Sequence, residues 1–160
     1  MAFVISGLVG VDLTDVQTTA NAKFAVGTVV QLSDGGKATY VRALSTIAQF
    51  DAVGINAANA AFPLETTNAL TTKKVGFAQT AIASASYGWV HTAGIVKVNL
   101  ALNCDDNVPL YATSTGGVLD DATVSGLLVG GITSTVTISN ATAVTCIAAG
   151  GFVVTGATPA

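Results

Sequence analysis

Apolar and polar residues alternate with a period of two along much of this chain, and that period predicts strands. In GIVKVNLALN, residues 94–103, Val96, Val98, Leu100 and Leu102 fall on one face, while Lys97, Asn99, Ala101 and Asn103 fall on the other. This is the pattern of a half-buried strand. In STVTISNATAVTCI, residues 134–147, Val136 and Ile138 alternate with Thr135, Thr137 and Ser139, and Asn140-Ala141-Thr142 offers a turn. The run from Val144 to Ile147 then returns, which predicts a hairpin. Thr, Val and Ile suit a pleated surface because their branched side chains fill it well. Helical patterning is scarce. Residues 45–53, 56–65 and 12–22 each have room for a turn or two of helix, with Pro63 and several Asn limiting the length.

A weak internal repeat sharpens this picture. GTVVQLSDGGKATYV (27–41) and DNVPLYATSTGGVLDD (106–121) both read as strand, Gly-Gly turn, strand. Each precedes an apolar-Gly step, Val53-Gly54-Ile55 and Val129-Gly130-Gly131-Ile132. Gly35-Gly36 and Gly116-Gly117 suit hairpin turns, since glycine adopts positive φ without steric cost. The expected fold is all-β: a β-sandwich or small β-barrel with Gly-rich hairpins and at most one or two short helices. Residues 25–160 form a single β domain, and residues 1–24 form an N-terminal arm or first strand.

Composition changes the functional picture more than the structural one. Only 9% of the 160 residues are charged, against about 25% in ordinary soluble domains. So few charges do little to keep a lone monomer dispersed, and a surface lying against neighbouring subunits explains them better. The net charge is −3 and the basic residues cluster nowhere beyond Lys73-Lys74, which argues against a nucleic-acid partner. The opening MAFVISGLVGVDLTD lacks a basic stretch and meets acid at Asp12, so it makes a poor signal peptide. The uncharged segment after Asp121 is broken throughout by Thr, Ser, Asn and Gly. It reads as strands rather than as the roughly 20 apolar residues of a membrane span.

Chemistry-bearing residues are few. SYGWVHTAGIV (86–96) holds the only Trp and the only His of the chain. On a strand Tyr87, Trp89 and His91 share one face, a ladder of rings suited to packing or docking. His91 has no companion nucleophile motif and no second His, so no catalytic base is assigned and the chain is not expected to be an enzyme. The GGKAT run at 35–39 fails the phosphate-loop pattern, because Gln31 and Ala38 stand where Gly and Ser or Thr are needed. Asp105-Asp106 and Asp120-Asp121 flank the second hairpin unit. They offer oxygens to a calcium ion, but acidic pairs in turns more often cap backbone N–H groups, and neither metal nor cofactor is expected. Asn140-Ala141-Thr142 matches a glycosylation sequon, which matters only in a secreted chain. Cys104 and Cys146 lie in no metal-binding spacing. They read as small buried thiols, with one disulfide as the alternative.

Taken together, VGFAQTAIASASYGWVHTAGIVKVNL (75–100), with its Tyr87-Gly88-Trp89-Val90 core, and the unit from Val108 to Leu119 resemble tailed-bacteriophage capsid decoration, or cement, proteins. The resemblance spans roughly residues 25–135. It implies a mostly β, commonly trimeric virion protein. Such a protein binds the outside of an icosahedral shell and stabilises it by clamping neighbouring major capsid subunits. The partners implied are the major capsid protein and further copies of the chain as a homotrimer, with no nucleic acid and no membrane. The implied location is the capsid exterior, after synthesis in the host cytoplasm. Family sequences tend to carry Gln where this chain has His91, so the resemblance implies no shared role for the imidazole. Phe3, Val4, Ile5 and Leu8 of the arm, with Tyr87, Trp89 and His91, are the interface candidates. The alternative is a virion fibre or other surface β-sandwich domain that binds glycans, with Tyr87, Trp89 and His91 as a stacking platform.

Overall fold

A computed structural model describes residues 4, 8, 10–18, 20, 22–72, 74–122, 127–140 and 142–155. The chain is all-β. Ten strands join one mixed sheet, and the helical content among the described residues is a single 3-10 turn, Ala69–Thr71. The strands are β1 (Val29–Gln31), β2 (Lys37–Ala43), β3 (Ala52–Ile55), β4 (Ala60–Pro63), β5 (Lys74–Ala78), β6 (Tyr87–Leu100), β7 (Leu110–Ala112), β8 (Leu119–Asp120), β9 (Leu127–Ser134) and β10 (Thr142–Thr155).

The sheet closes twice, and neither closure is a regular barrel. In the first ring β2 runs parallel to β4, β4 pairs with β3, β3 with β5, β5 with β6, and β6 returns to β2. In the second ring β6 runs parallel to β8, β8 pairs with β7, β7 with β9, β9 with β10, and β10 returns to β6. The order of connection is the same in both. Strand β6 ends the first ring and begins the second. The parallel contacts Ala43–Ala61 and Leu100–Leu119 align the two. That alignment sets Val41 against Val98, both inward and buried, and Tyr40 against Lys97.

This geometry revises the sequence repeat. The unit at 106–121 does form an antiparallel pair, β7–β8, as 27–41 forms β1–β2. In the rings, however, β7–β8 takes the place of β3–β4, while β1 is an extra strand on the edge of β2. The predicted hairpin exists with its return strand where expected, in β10, but Val136 and Ile138 do not form the first strand. Its first strand is β9, ending at Ser134, and residues 135–140 form the connection. Leu102 lies beyond the end of β6 and is exposed. The helical expectations fail: 45–53 is a turn leading into β3, 56–65 is the β3–β4 turn and β4, and the described part of 12–22 is non-helical. Ala-rich runs favour helix only weakly, and sheet pairing overrides that preference.

Three clusters form the core. Val41, Ala43, Val53, Ile55, Ala61, Ala78 and Val90 come from all five strands of the first ring and fill it, with Ile47 and Ile82 paired at one end. The second ring supplies Val96, Val98, Leu100, Leu110, Leu119, Val129, Val144 and Cys146. These pack against Ala52, Val75 and Phe77 on β3 and β5, so the outside of one ring is part of the inside of the other. A third cluster, Val30, Leu32, Ala38, Tyr40 and Trp89, lies under Val4, Val11, Leu13 and Phe24 of the N-terminal segment.

Two glycines are dictated by contact. At Gly117, φ is +82° and an added Cβ would lie 2.2 Å from the Cγ of Asp51. That carboxylate accepts hydrogen bonds from the Ala48 N–H at 2.8 Å and the Asn99 side-chain amide at 3.1 Å, tying the turn before β3 to the second-ring part of β6. Gly35, at φ +79°, faces open space. Gly117→Ala is therefore expected to cost about 2–5 kcal/mol, strain plus overpacking, and Gly35→Ala about 1–2 kcal/mol. Urea denaturation checks this, and equal midpoints for the two variants would contradict it.

Candidate functional site: the outer faces of β6

Strand β6 changes ring at a bulge. Lys37 pairs with Ala93 but Ala38 pairs with His91, so Thr92 is an extra residue, and Gly94 follows at φ +106°. The β1–β2 turn sits tightly against this point: a Cβ on Gly36 would come within 2.4 Å of the Ala93 carbonyl oxygen. Asp34 fixes the approach, its carboxylate accepting from the Gly36 N–H at 2.9 Å and the Ile95 N–H at 3.3 Å. Beyond the end of β5, the Gln79 side chain acts as a short strand. It donates to the Lys97 carbonyl at 3.0 Å and accepts from the Lys97 N–H at 3.1 Å.

On the first-ring side of the bulge, the ring ladder belongs to the chain's own interior. Trp89 is 2% exposed, and Tyr40, its cross-strand partner, is 1% exposed. Tyr40 and Phe24 lie 5.0 and 5.4 Å from the Trp89 ring, and Tyr40 stacks on half-buried Tyr87 at 6.1 Å. Gln17 crosses the end of the ladder with a reciprocal pair of backbone hydrogen bonds to Tyr87. Val4 bridges Leu32 and is half-buried, whereas Leu8 is exposed. Phe3 and Ile5 lie outside the described residues. The glycan platform needs open ring faces, and burial of Trp89 beneath Phe24 removes the central one.

His91, next on this face, is 7% exposed, and its Nδ1 has no hydrogen-bond partner among the described residues. Burial lowers its pKa below the usual 6.5, with the Asp34 charge opposing. It forms part of a groove of about 960 Å³ that also takes in Val4, Val11, Asp12, Leu13, Asp34 and Ile95. Sequence reasoning singled out His91 but missed the groove, whose walls come from stretches far apart in the chain.

On the second-ring side the corresponding face is open. Ile95 and Ile147 are direct cross-strand partners, 61% and 56% exposed, and Thr133 of β9 continues the row. In the ring alignment Ile95 and Ile147 take the places of Ala38 and His91, and Thr145 that of Trp89. Lys97 is the one charge that β6 and β10 place on this face, and its ammonium lies 5.6 Å from the centre of the Phe50 ring.

Of the acidic pairs, Asp121 caps a backbone N–H and Asp106 accepts from side chains. Asp121 accepts from the Asp105 N–H at 2.9 Å, and Asp106 accepts from the Thr137 hydroxyl at 2.9 Å. Among the described residues, Cys104, Asp120 and Asp121 form the one group of three His, Cys, Asp or Glu side chains whose ligand atoms lie within 4.8 Å of one another. Cys104 and Cys146 are both buried thiols, as expected from sequence, and burial pushes each up to about 11. They are protonated at neutral pH and poor nucleophiles.

No family model matches the chain, and a search of curated proteins finds no match.

Two outcomes follow for the ladder. Trp89→Ala is expected to cost about 3–5 kcal/mol, more than any change at His91, and thermal melts check the order. A neutral buried imidazole competes with an unfolded state that takes a proton near pH 6.5. The contribution of His91 to stability is therefore constant above that pH and falls as the pH drops from 6.5 towards the lower folded value. NMR titration of this one imidazole should give a midpoint below 6.5, and a midpoint at or above it would refute the buried neutral state.

Proposed function

We propose that this chain is a structural virion protein. It binds the outside of an icosahedral phage capsid as a homotrimer and stabilises the shell by clamping neighbouring major capsid subunits. The observation that carries the reading is the open, charge-poor face around Ile95 and Ile147. Its counterpart in the first ring is covered by the chain's own N-terminal segment, whereas this face has no such cover among the described residues. Exposed apolar surface of this kind marks an interaction site. The resemblance of residues 25–135 to cement proteins supplies the class of partner, and the low charge of the whole chain is consistent with a subunit that spends its life in contact with others.

The mechanism is linkage. A protein that binds the expanded shell and not its dissociated parts stabilises the shell by mass action. Three linked protomers turn weak single contacts into tight attachment through effective concentration. The proposal assigns no chemical step to any residue.

Co-sedimentation with expanded phage heads tests this. The chain should pellet with intact heads, and Ile147→Asp should fold normally, because the side chain is largely exposed, but lose pelleting. Failure of the unaltered protein to pellet would overturn the proposal, as would undiminished pelleting of the folded variant.

A further inference from the structure

The groove at the ring junction is a second feature that the fold leaves unfilled. One wall is the N-terminal segment with Val11, Asp12 and Leu13. The β1–β2 turn contributes Asp34, and His91 and Ile95 of β6 also line it. Its volume of about 960 Å³ is at the upper end of ligand sites, room for several residues of extended chain rather than a single ion. Among the described residues, two charged ones line it, Asp12 and Asp34, and no Lys or Arg does. Asp12 is held ionised by hydrogen bonds from the Thr14 N–H and hydroxyl. Lys23, whose charge reaches Asp12, is already paired with Asp15.

A second and independent observation is His91. It is more than nine-tenths buried, it lines this groove, and its Nδ1 has no partner among the described residues. Orphaned buried polar atoms are uncommon and carry a desolvation cost. The imidazole can present Nδ1 as donor or as acceptor. A peptide backbone offers both complements, so an incoming extended chain satisfies either tautomer.

We propose that this groove binds an extended, basic segment of a partner protein, with a Lys or Arg head held by Asp12 and Asp34 and the backbone lying over His91 and Ile95. Charge complementarity sets the sign of the partner, and charge-assisted hydrogen bonds to the two carboxylates hold its head. Val11, Leu13 and Ile95 give the aliphatic part of the segment an apolar bed. The inference deepens the capsid reading by naming the chemistry of the segment that docks, and it rests on that reading only for the identity of the partner.

The test uses the full chain and two capped pentapeptides, Val-Lys-Val-Arg-Val and Val-Glu-Val-Asp-Val, at pH 7.5. The His91 imidazole resonance and the backbone amides of residues 11–14 and 33–36 are followed by NMR. The basic peptide should shift these signals saturably, and the acidic one should not. Asp34→Asn keeps an oxygen to cap the turn, and with Asp12→Asn it should weaken binding about three- to tenfold per site. Raising the salt to 0.5 M should weaken binding in the unaltered protein, which reads the charge contribution without any variant. Absence of shifts up to millimolar basic peptide would overturn the inference. So would equal response to both peptides, or binding indifferent both to the Asn variants and to salt. No capsid enters this assay, and Ile147 does not line the groove. Peptide binding without pelleting would sink the capsid reading alone, and pelleting without peptide binding would sink the groove alone.

Discussion

Strand β6 is the constraint on which the rest of the molecule depends. Its 14 residues close the first ring through β2 and β5, then open the second through β10 and β8. A strand shared in this way must satisfy different neighbours along its length. From Gly88 to His91 both faces are buried, because ring interior lies on one side and the N-terminal cover on the other. From Ile95 to Leu100 one face is buried and the other is largely exposed. The transition needs a break in the pleat, supplied by the bulge at Thr92 and the left-handed Gly94. Bulges re-aim a strand at such points.

The junction is held by polar side chains standing in for missing backbone. Gln79 completes a rung on Lys97, Asp34 caps the turn packed on the bulge, and Asp51 ties residue 48 to Asn99 beneath Gly117. Burial pushes the Asp51 carboxyl above its ordinary range, opposed by the donors from Ala48 and Asn99. A folded pKa above the unfolded value means that this carboxylate opposes folding increasingly as pH rises through that window. Both its oxygens nevertheless accept hydrogen bonds, one from the Ala48 N–H and one from the Asn99 amide, which also donates to the Gln49 carbonyl.

The two rings share one plan but have diverged in what their outer faces do. Tyr40 and Trp89 of the first correspond to Lys97 and Thr145 of the second. Large rings demand a cover, and the N-terminal segment provides it with Val11, Leu13 and Phe24. Small and β-branched residues make a flatter face that stays open, and the groove lies where cover and open face meet.

The period-two pattern by itself determined that the chain is all-β, and it placed the inward Val96, Val98 and Leu100 of β6 correctly. Turn chemistry located the β1–β2 and β7–β8 pairs, since the requirement for positive φ at Gly35 and Gly117 is local. Alternation says that a strand has two faces, but not what covers each. Trp89 and Ile95 therefore looked alike on one strand, although one is buried and the other open. Residues 135–139 alternate as a strand would, yet they lie in a connection, because the register of β10 pairs Cys146 with Ser134 and leaves them no partner strand. Ring closure, the sharing of β6 and the groove at its bulge join residues some sixty positions apart, such as Asp34 and Ile95. Only tertiary pairing decides those contacts, because no local pattern records which distant backbone will supply the next hydrogen bond.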